Sequence, residues 1–161
     1  MARGPLVLTK EDMEHIHKAL VLLLKQSEAK CAVLINQDGE CVARRGFTKN
    51  LDTDSMAALI AGSFSSTRAL AKLIGEPDFS VLFHQGNRDH IHNIVVGDEM
   101  ILSVIFDDRT TLGMVRLFSR DAGKRLRDIL AAARQKSMET LGQHADLEKD
   151  AMNRLDDLFQ E

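Results

Sequence analysis

The sequence predicts an α+β sandwich: a five-stranded antiparallel sheet with helices on both faces, in the order α-β-β-α-β-β-β-α, followed by a helical tail. Three observations predict it. Short apolar runs come in two groups, one before residue 46 and one between 80 and 106, and within each group only tight turns separate them, so neighbours pair antiparallel. The longer stretches between these groups repeat apolar residues at three- and four-residue spacing, the helical period. Met100 to Phe106 is apolar nearly throughout, which marks a strand covered on both faces and therefore central in its sheet.

Thr9 followed by Asp12 has the form of a helix N-cap with an acid three residues on, and Met13, Ile16, Leu20, Leu23 and Leu24 then define an amphipathic helix to about Gln26. Lys30 to Asn36 reads as a strand, Asp38-Gly39 as the positive-φ pair of a tight turn, and Glu40 to Arg45 as the returning strand. Asp52 to Ser55 offers N-caps for a second helix running from about Asp54 to Ile74, where Gly75 and Pro77 form a stop signal. Its Met56, Leu59, Ile60, Phe64, Leu70, Leu73 and Ile74 are expected to pack on the sheet. Three strands follow as a meander around Ser80–His84, His90–Val96 and Met100–Phe106, and a third helix carries a stripe from Leu112 to Ala133. The polar stretch from Ser137 to His144, with Gly142 inside it, is expected to end that helix near Lys136. The resulting division is a domain over 1–136, a linker over 137–145 and an amphipathic tail helix over 146–161.

Composition narrows the function. With 44% hydrophobic and 28% charged residues the chain can build a core. A net charge of −3 lacks the basic excess that a nucleic-acid backbone attracts. Seven Phe with no Trp or Tyr leave a protein partner to be gripped mainly by aliphatic and small residues. The opening residues Met1 to Pro5 precede too short an apolar run for a signal peptide, and no stretch approaches membrane-spanning length, so a cytoplasmic protein without membrane insertion is expected. Cys31 and Cys41 flank the first hairpin turn, as buried thiols or as a disulfide if the strands bring them opposite each other.

Catalytic chemistry is sparse. The nearest string to a phosphate-cradling loop, Asp121 to Arg125, has Phe118 where the first glycine belongs and Arg125 where the magnesium-binding hydroxyl belongs. His84, His90 and His92 are the best enzymatic lead: alternation along a strand puts the last two on one face, and a hairpin can bring in His84 to complete a three-imidazole zinc set, although solvated or hydrogen-bonded histidines explain them too. His15 and His17, two apart on a helix, face different ways. Asp107, Asp108 and Arg109 read either as a catalytic loop or as an acid-rich turn before a helix.

Two features ask for a partner. Ala57, Ala58, Ala61, Gly62, Ser63, Ser65, Ser66, Ala69 and Ala71 give the second helix a surface nearly free of large side chains, suited to close approach of another backbone or to tight packing on its own sheet. The tail carries Leu155, Leu158 and Phe159 among acids that include Asp146, Glu148, Asp156 and Glu161, and can fold back on the core or dock in a groove of another protein.

The order of elements, together with Asn50-Leu51-Asp52-Thr53-Asp54-Ser55-Met56-Ala57-Ala58-Leu59-Ile60-Ala61-Gly62 and Leu70-Ala71-Lys72-Leu73-Ile74-Gly75-Glu76, resembles the Roadblock/LC7 family. Phe83-His84-Gln85-Gly86, the run Val104 to Gly113, Val115-Arg116-Leu117 and the terminal Asp156 to Glu161 are similar as well, so the resemblance covers about Val7 to Lys136 and the last few residues. It implies a profilin-like fold without cofactor or catalytic site of its own, and a homodimer in which second helices lie antiparallel and the strands at Ser80–Gly86 join two sheets into one. The bacterial members it most resembles imply a Ras-like small GTPase as partner, in cell polarity and motility, with hydrolysis accelerated and nucleotide exchange promoted through the C-terminal helix. No arginine finger is implied; the GTPase's own residues are pushed into a competent arrangement. Carried over by position, the GTPase-binding residues are Ala61, Ser65, Arg68 and Ala69, with tail contacts at Leu155, Leu158 and Phe159. The dimer-interface residues are Ala58, Gly62, Ser66, Leu82 and His84. Arg68 departs from the pattern, which is small there: either the surface is adjusted to a different GTPase or the side chain points aside. The other reading of the same fold is a scaffold that tethers or localises a GTPase or motor complex without stimulating it.

Overall fold

The computed structural model of the chain describes residues 4–160; Met1 to Arg3 and Glu161 of the expected tail lie outside it. Helix α1 (Lys10–Ser27) leads into a hairpin of β1 (Cys31–Asn36) and β2 (Cys41–Gly46); α2 (Thr53–Leu73) precedes the meander β3 (Val81–Gln85), β4 (His90–Val96) and β5 (Met100–Phe106); and α3 (Leu112–Phe159) ends the chain. The sheet has the order β2-β1-β5-β4-β3, and the pairings within it are antiparallel. β5 is central and all seven of its residues are buried. The apolar run predicted this, because only a strand flanked and covered on every side has no use for a polar face.

Alternation along the strands divides the core in two. Ala32, Leu34, Leu102, Val104 and Phe106 point to one side, where they meet Ile16, Leu20 and Leu23 of α1 and Val115, Ala122 and Leu126 of α3. Val33, Ile35 and Ile101 point to the other, beneath Ala57, Ile60 and Phe64 of α2. No described helix is long and apolar enough to cross a membrane.

Local signals act as expected at most element ends. Thr9 and Asp12 form a reciprocal capping box, each side chain bonding the other's backbone N–H at 3.1 and 2.9 Å. These bonds, the Thr9 N–H foremost, hold the Asp12 carboxyl below the usual range, helped by Lys136 of α3 at 3.7 Å. Helix α2 closes with a Schellman motif: Glu76 N–H donates to Ala71 C=O and Gly75 N–H to Lys72 C=O, with Gly75 at φ +79°. In the first turn only Gly39, not Asp38, takes positive φ, so the connection is a turn with a glycine bulge and the register shifts between Leu34 and Ile35. That register puts Cys31 opposite Gly46 and Cys41 opposite Ile35, at opposite ends of the hairpin, and both thiols are free. The disulfide left open by the sequence is therefore not formed. Burial pushes both thiols up, Cys31 to about 11.

Two expectations need correction. Helix α3 does not stop near Lys136 but runs unbroken for 48 residues, about 72 Å, through the stretch assigned to a linker. A single interior glycine costs only about 1 kcal/mol, so Gly142 does not break the helix. The hydroxyls of Ser137 and Thr140 donate to carbonyls one turn back, at Ala133 and Lys136, instead of competing with the helix. The second correction concerns α2. Leu59, Leu70, Leu73 and Ile74, expected on the sheet, are exposed at 73%, 52%, 83% and 64%. At about 100° per residue Leu59, Leu70 and Leu73 lie well off the stripe through Ala57, Ile60, Phe64 and Ala71 that the sheet covers, and Ile74 is the C-cap beyond the last helical residue.

Candidate functional site

The corrected orientation of α2 creates the chain's most unusual surface. Its N-terminus is tied down: Asp52 accepts from the Ser55 N–H at 3.0 Å and from the Ser55 hydroxyl at 2.6 Å, which lowers the Asp52 carboxyl. Arg44 of β2 donates to the Thr53 hydroxyl at 2.7 Å. With one stripe seated on the sheet, the outward face presents Ala58, Gly62, Ser65, Ser66 and Ala69, all exposed, with Leu59 and Leu70 alongside. The Ser63 and Ser66 hydroxyls donate to Leu59 C=O and Gly62 C=O within the helix. A Cβ built on Gly62 meets no atom within 4 Å, so nothing inside the protomer requires a glycine there.

The α2 side of the sheet also reaches an open edge. β3 pairs with β4 only and is the last strand, so one side of its backbone has no sheet partner. Leu82 and His84 of β3 share the α2 side of the sheet, Leu82 half-buried and His84 exposed, while Val81 is 43% exposed on the opposite side. The fold thus brings Ala58, Gly62, Ser66, Leu82 and His84 to one side of the sheet, and places Ala61, Ser65, Arg68 and Ala69 along one flank of α2 at helical spacing. Ala61 is half-buried and the other three are exposed. Arg68 is not free: its Nε lies 3.3 Å from Asp78 Oδ2 in the connection to β3, which tethers α2 to the edge strand. Leu155, Leu158 and Phe159 are not brought to α2; they are exposed at the far end of α3, where every residue from 138 to 159 is exposed.

The histidine trio does not assemble. His84 lies opposite Ile91 while Phe83 and Gln85 lie opposite His92 and His90, so His84 is on the α2 face and the other two on the α1–α3 face. No group of three metal-ligating side chains occurs among the described residues. His90 accepts from Gly86 N–H at 3.2 Å and packs near Phe83 and Phe106. His92 is 2% exposed, and burial, with Arg116 nearby, pushes its imidazole down to about 4. Asp107 is clasped by Arg109 through bonds of 3.0 and 3.2 Å, which lower its carboxyl, in the turn before the Thr111 N-cap.

The Roadblock/LC7 domain model matches residues 16–106, from α1 through β5. The chain belongs to the Roadblock/LC7 family. Among solved structures it is similar to Myxococcus xanthus MglB, with 38% identity over 80% of this chain and 96% of that one at a TM-score of 0.74. It is similar to the gliding protein MglB of Thermus thermophilus, with 31% identity over 81% and 99% of the two chains at a TM-score of 0.75. A third structure, described as MglB with a tetrameric arrangement, has 31% identity over 82% and 99% at a TM-score of 0.76. Profilin II of Acanthamoeba castellanii, at 12% identity and a TM-score of 0.51 over 71% and 94%, shares the fold alone. None of the curated proteins compared with the chain matches it. The sequence had flagged the small-residue face; it missed the large aliphatics beside it, whose offset from the Ile60 stripe was the available signal.

Proposed function

We propose that this Roadblock/LC7 chain is an MglB-like regulator of a Ras-like, MglA-like small GTPase and works as a homodimer. The observation that carries the reading is the outward face of α2: a glycine that its own protomer does not need, serines whose hydroxyls are turned into the helix, and exposed leucines, together with an open β3 edge. Such a face permits close backbone approach, and an exposed strand edge accepts a second strand. In the dimer the two α2 helices lie antiparallel over a sheet joined through β3, with Ala58, Gly62, Ser66, Leu82 and His84 at the interface. The combined α2 surface then carries Ala61, Ser65, Arg68 and Ala69 toward the GTPase, and the α3 tail adds Leu155, Leu158 and Phe159. The likeness to MglB over nearly all of that protein's length supports this arrangement.

The regulator supplies no reacting group. It stimulates hydrolysis by binding the hydrolysis-competent conformation of the GTPase more tightly than the others, which shifts the population by that affinity ratio. The ion pair to Asp78 supports a positioning role for Arg68 within α2 and not a finger. The deciding experiment measures GTP turnover by an MglA-like GTPase with and without this protein, and again with Ser65→Arg/Ala69→Arg. The expected result is stimulation that the double variant abolishes while the dimer persists by light scattering. Binding without stimulation would replace the regulator with a tethering scaffold.

A further inference from the structure

On the face of the sheet opposite α2, a cleft of about 360 Å³ runs between the first half of α3 and strands β3 and β4. One wall is a row of four cations on α3, Arg116, Arg120, Lys124 and Arg127; the floor is Val81, Ile94 and His92. No acid lines it. The spacing i, i+4, i+8, i+11 puts all four on one side of the helix over about 16 Å. Gly123 lets the helix sit low here, since a Cβ at that position would come within 3.1 Å of Ile94 Cδ1.

Elsewhere on the surface five cations pair with acids, while others, Arg125 of α3 among them, have no acid partner among the described residues. Lys30 pairs with Asp89, Arg68 with Asp78, Arg109 with Asp107, Arg134 with Glu99 and Lys136 with Asp12. Yet in a chain with 24 acids to 21 bases, none of the four cleft cations has an acid partner among the described residues. Like charges one turn apart repel, so the row by itself works against the helix that carries it. Below it, His92 is 2% exposed and its Nδ1 has no hydrogen-bond partner. Four cations along one cleft with no acid among its lining residues make an arrangement that a bound anion neutralises.

We propose that this cleft binds a ligand carrying phosphoryl groups. Guanidinium forks match phosphate oxygens two at a time, and a lysine adds a point charge. The row is too long for one phosphate and spans two or three. The cleft volume falls in the range of small-ligand sites and is too small for an acidic helix about 10 Å across. Two sources share this chemistry, a soluble polyphosphate-type ligand and a phospholipid headgroup. The cleft lies across the sheet from α2, and its Val81 side borders the β3 edge through which the proposed dimer joins its sheets.

The test titrates tripolyphosphate into the full chain by calorimetry, and in parallel sediments the chain with phosphatidylcholine vesicles with and without a phosphoinositide. Arg120→Gln/Lys124→Gln, both at exposed positions, should weaken binding about tenfold or more. Arg125→Gln removes another exposed α3 cation that does not line the cleft, and should change it less than about twofold. Amide shifts of Val81, His92 and Lys124 in the unmodified protein should move with tripolyphosphate or headgroup, a readout that needs no variant. Binding of tripolyphosphate identifies a soluble ligand; sedimentation with phosphoinositide vesicles alone identifies a headgroup. No binding in either arm, or an equal loss in Arg125→Gln, overturns the proposal.

Discussion

Replacing Gly62 with alanine is expected to move two quantities in opposite directions. Within the protomer the added methyl meets nothing within 4 Å, so it neither clashes nor packs, and only the backbone term changes. Glycine inside a helix costs about 1 kcal/mol relative to alanine, so the fold should gain about that much, or about 2–4 °C for a chain of this size. In the proposed dimer the same methyl enters twice across a twofold axis, where the approach of two α2 backbones leaves no room for it. Overpacking of this kind costs about 1–3 kcal/mol, which weakens the dimer about 5- to 150-fold. Sedimentation equilibrium gives the dimer constant, and urea unfolding at a concentration where the protomer dominates gives fold stability, which separates the two effects. A fold stabilised by about 1 kcal/mol with an unchanged or tighter dimer refutes close approach at Gly62. A destabilised fold refutes the open space.

Other consequences can be checked with equal economy. His92 has its imidazole pushed down to about 4 in the fold against an ordinary 6.5, so the unfolded chain takes up the proton first. The stability of neutral His92 is therefore complete above about pH 6.5 and declines as pH falls toward 4, by about 3 kcal/mol in all; urea unfolding between these limits should show the loss, and His92→Phe should remove it. Arg68→Ala breaks a half-exposed ion pair worth less than about 1 kcal/mol and should leave GTP turnover stimulation within about twofold, whereas a loss of about 10³–10⁵ would mean Arg68 is a finger after all. Deleting the chain from Leu147 onward removes residues that bury nothing in the protomer, so thermal unfolding should be unchanged while stimulation or exchange on the GTPase falls; full activity would show the tail to be idle.

Much of the fold was legible because its signals are local. A capping box at Thr9 and Asp12, a left-handed glycine at Gly75 and seven consecutive apolar residues from Met100 each act through atoms a few residues away, and each appears in the structure where the sequence predicts it. Periodicity was a weaker guide. It identified α2 as a helix, but which of two adjacent apolar stripes meets the sheet depends on the rotation of the helix, and that is set by Ile60 and Phe64 finding Val33, Ile35 and Ile101. The polar run after Lys136 misled for a related reason: polarity says that a segment is not buried, not that it is not helical, and a helix already nucleated on the sheet extends through Gly142 at small cost.

Four facts about this protein came from composition and local pattern alone: the α+β class, the element order, the central strand and most of the small-residue face of α2, whose Ala57 and Ala71 the sheet instead covers. Tertiary structure decided the rest, because pairing register and helix rotation act between residues far apart in the chain. Register sent His84 to one face of the sheet and His90 and His92 to the other, and parted Cys31 from Cys41. Rotation of α2 left Leu59 and Leu70 exposed beside Gly62. Docking of α3 on β4 lined up Arg116, Arg120, Lys124 and Arg127 above His92, a cleft whose two walls lie more than twenty residues apart in the sequence and meet only when the sheet and helix pack.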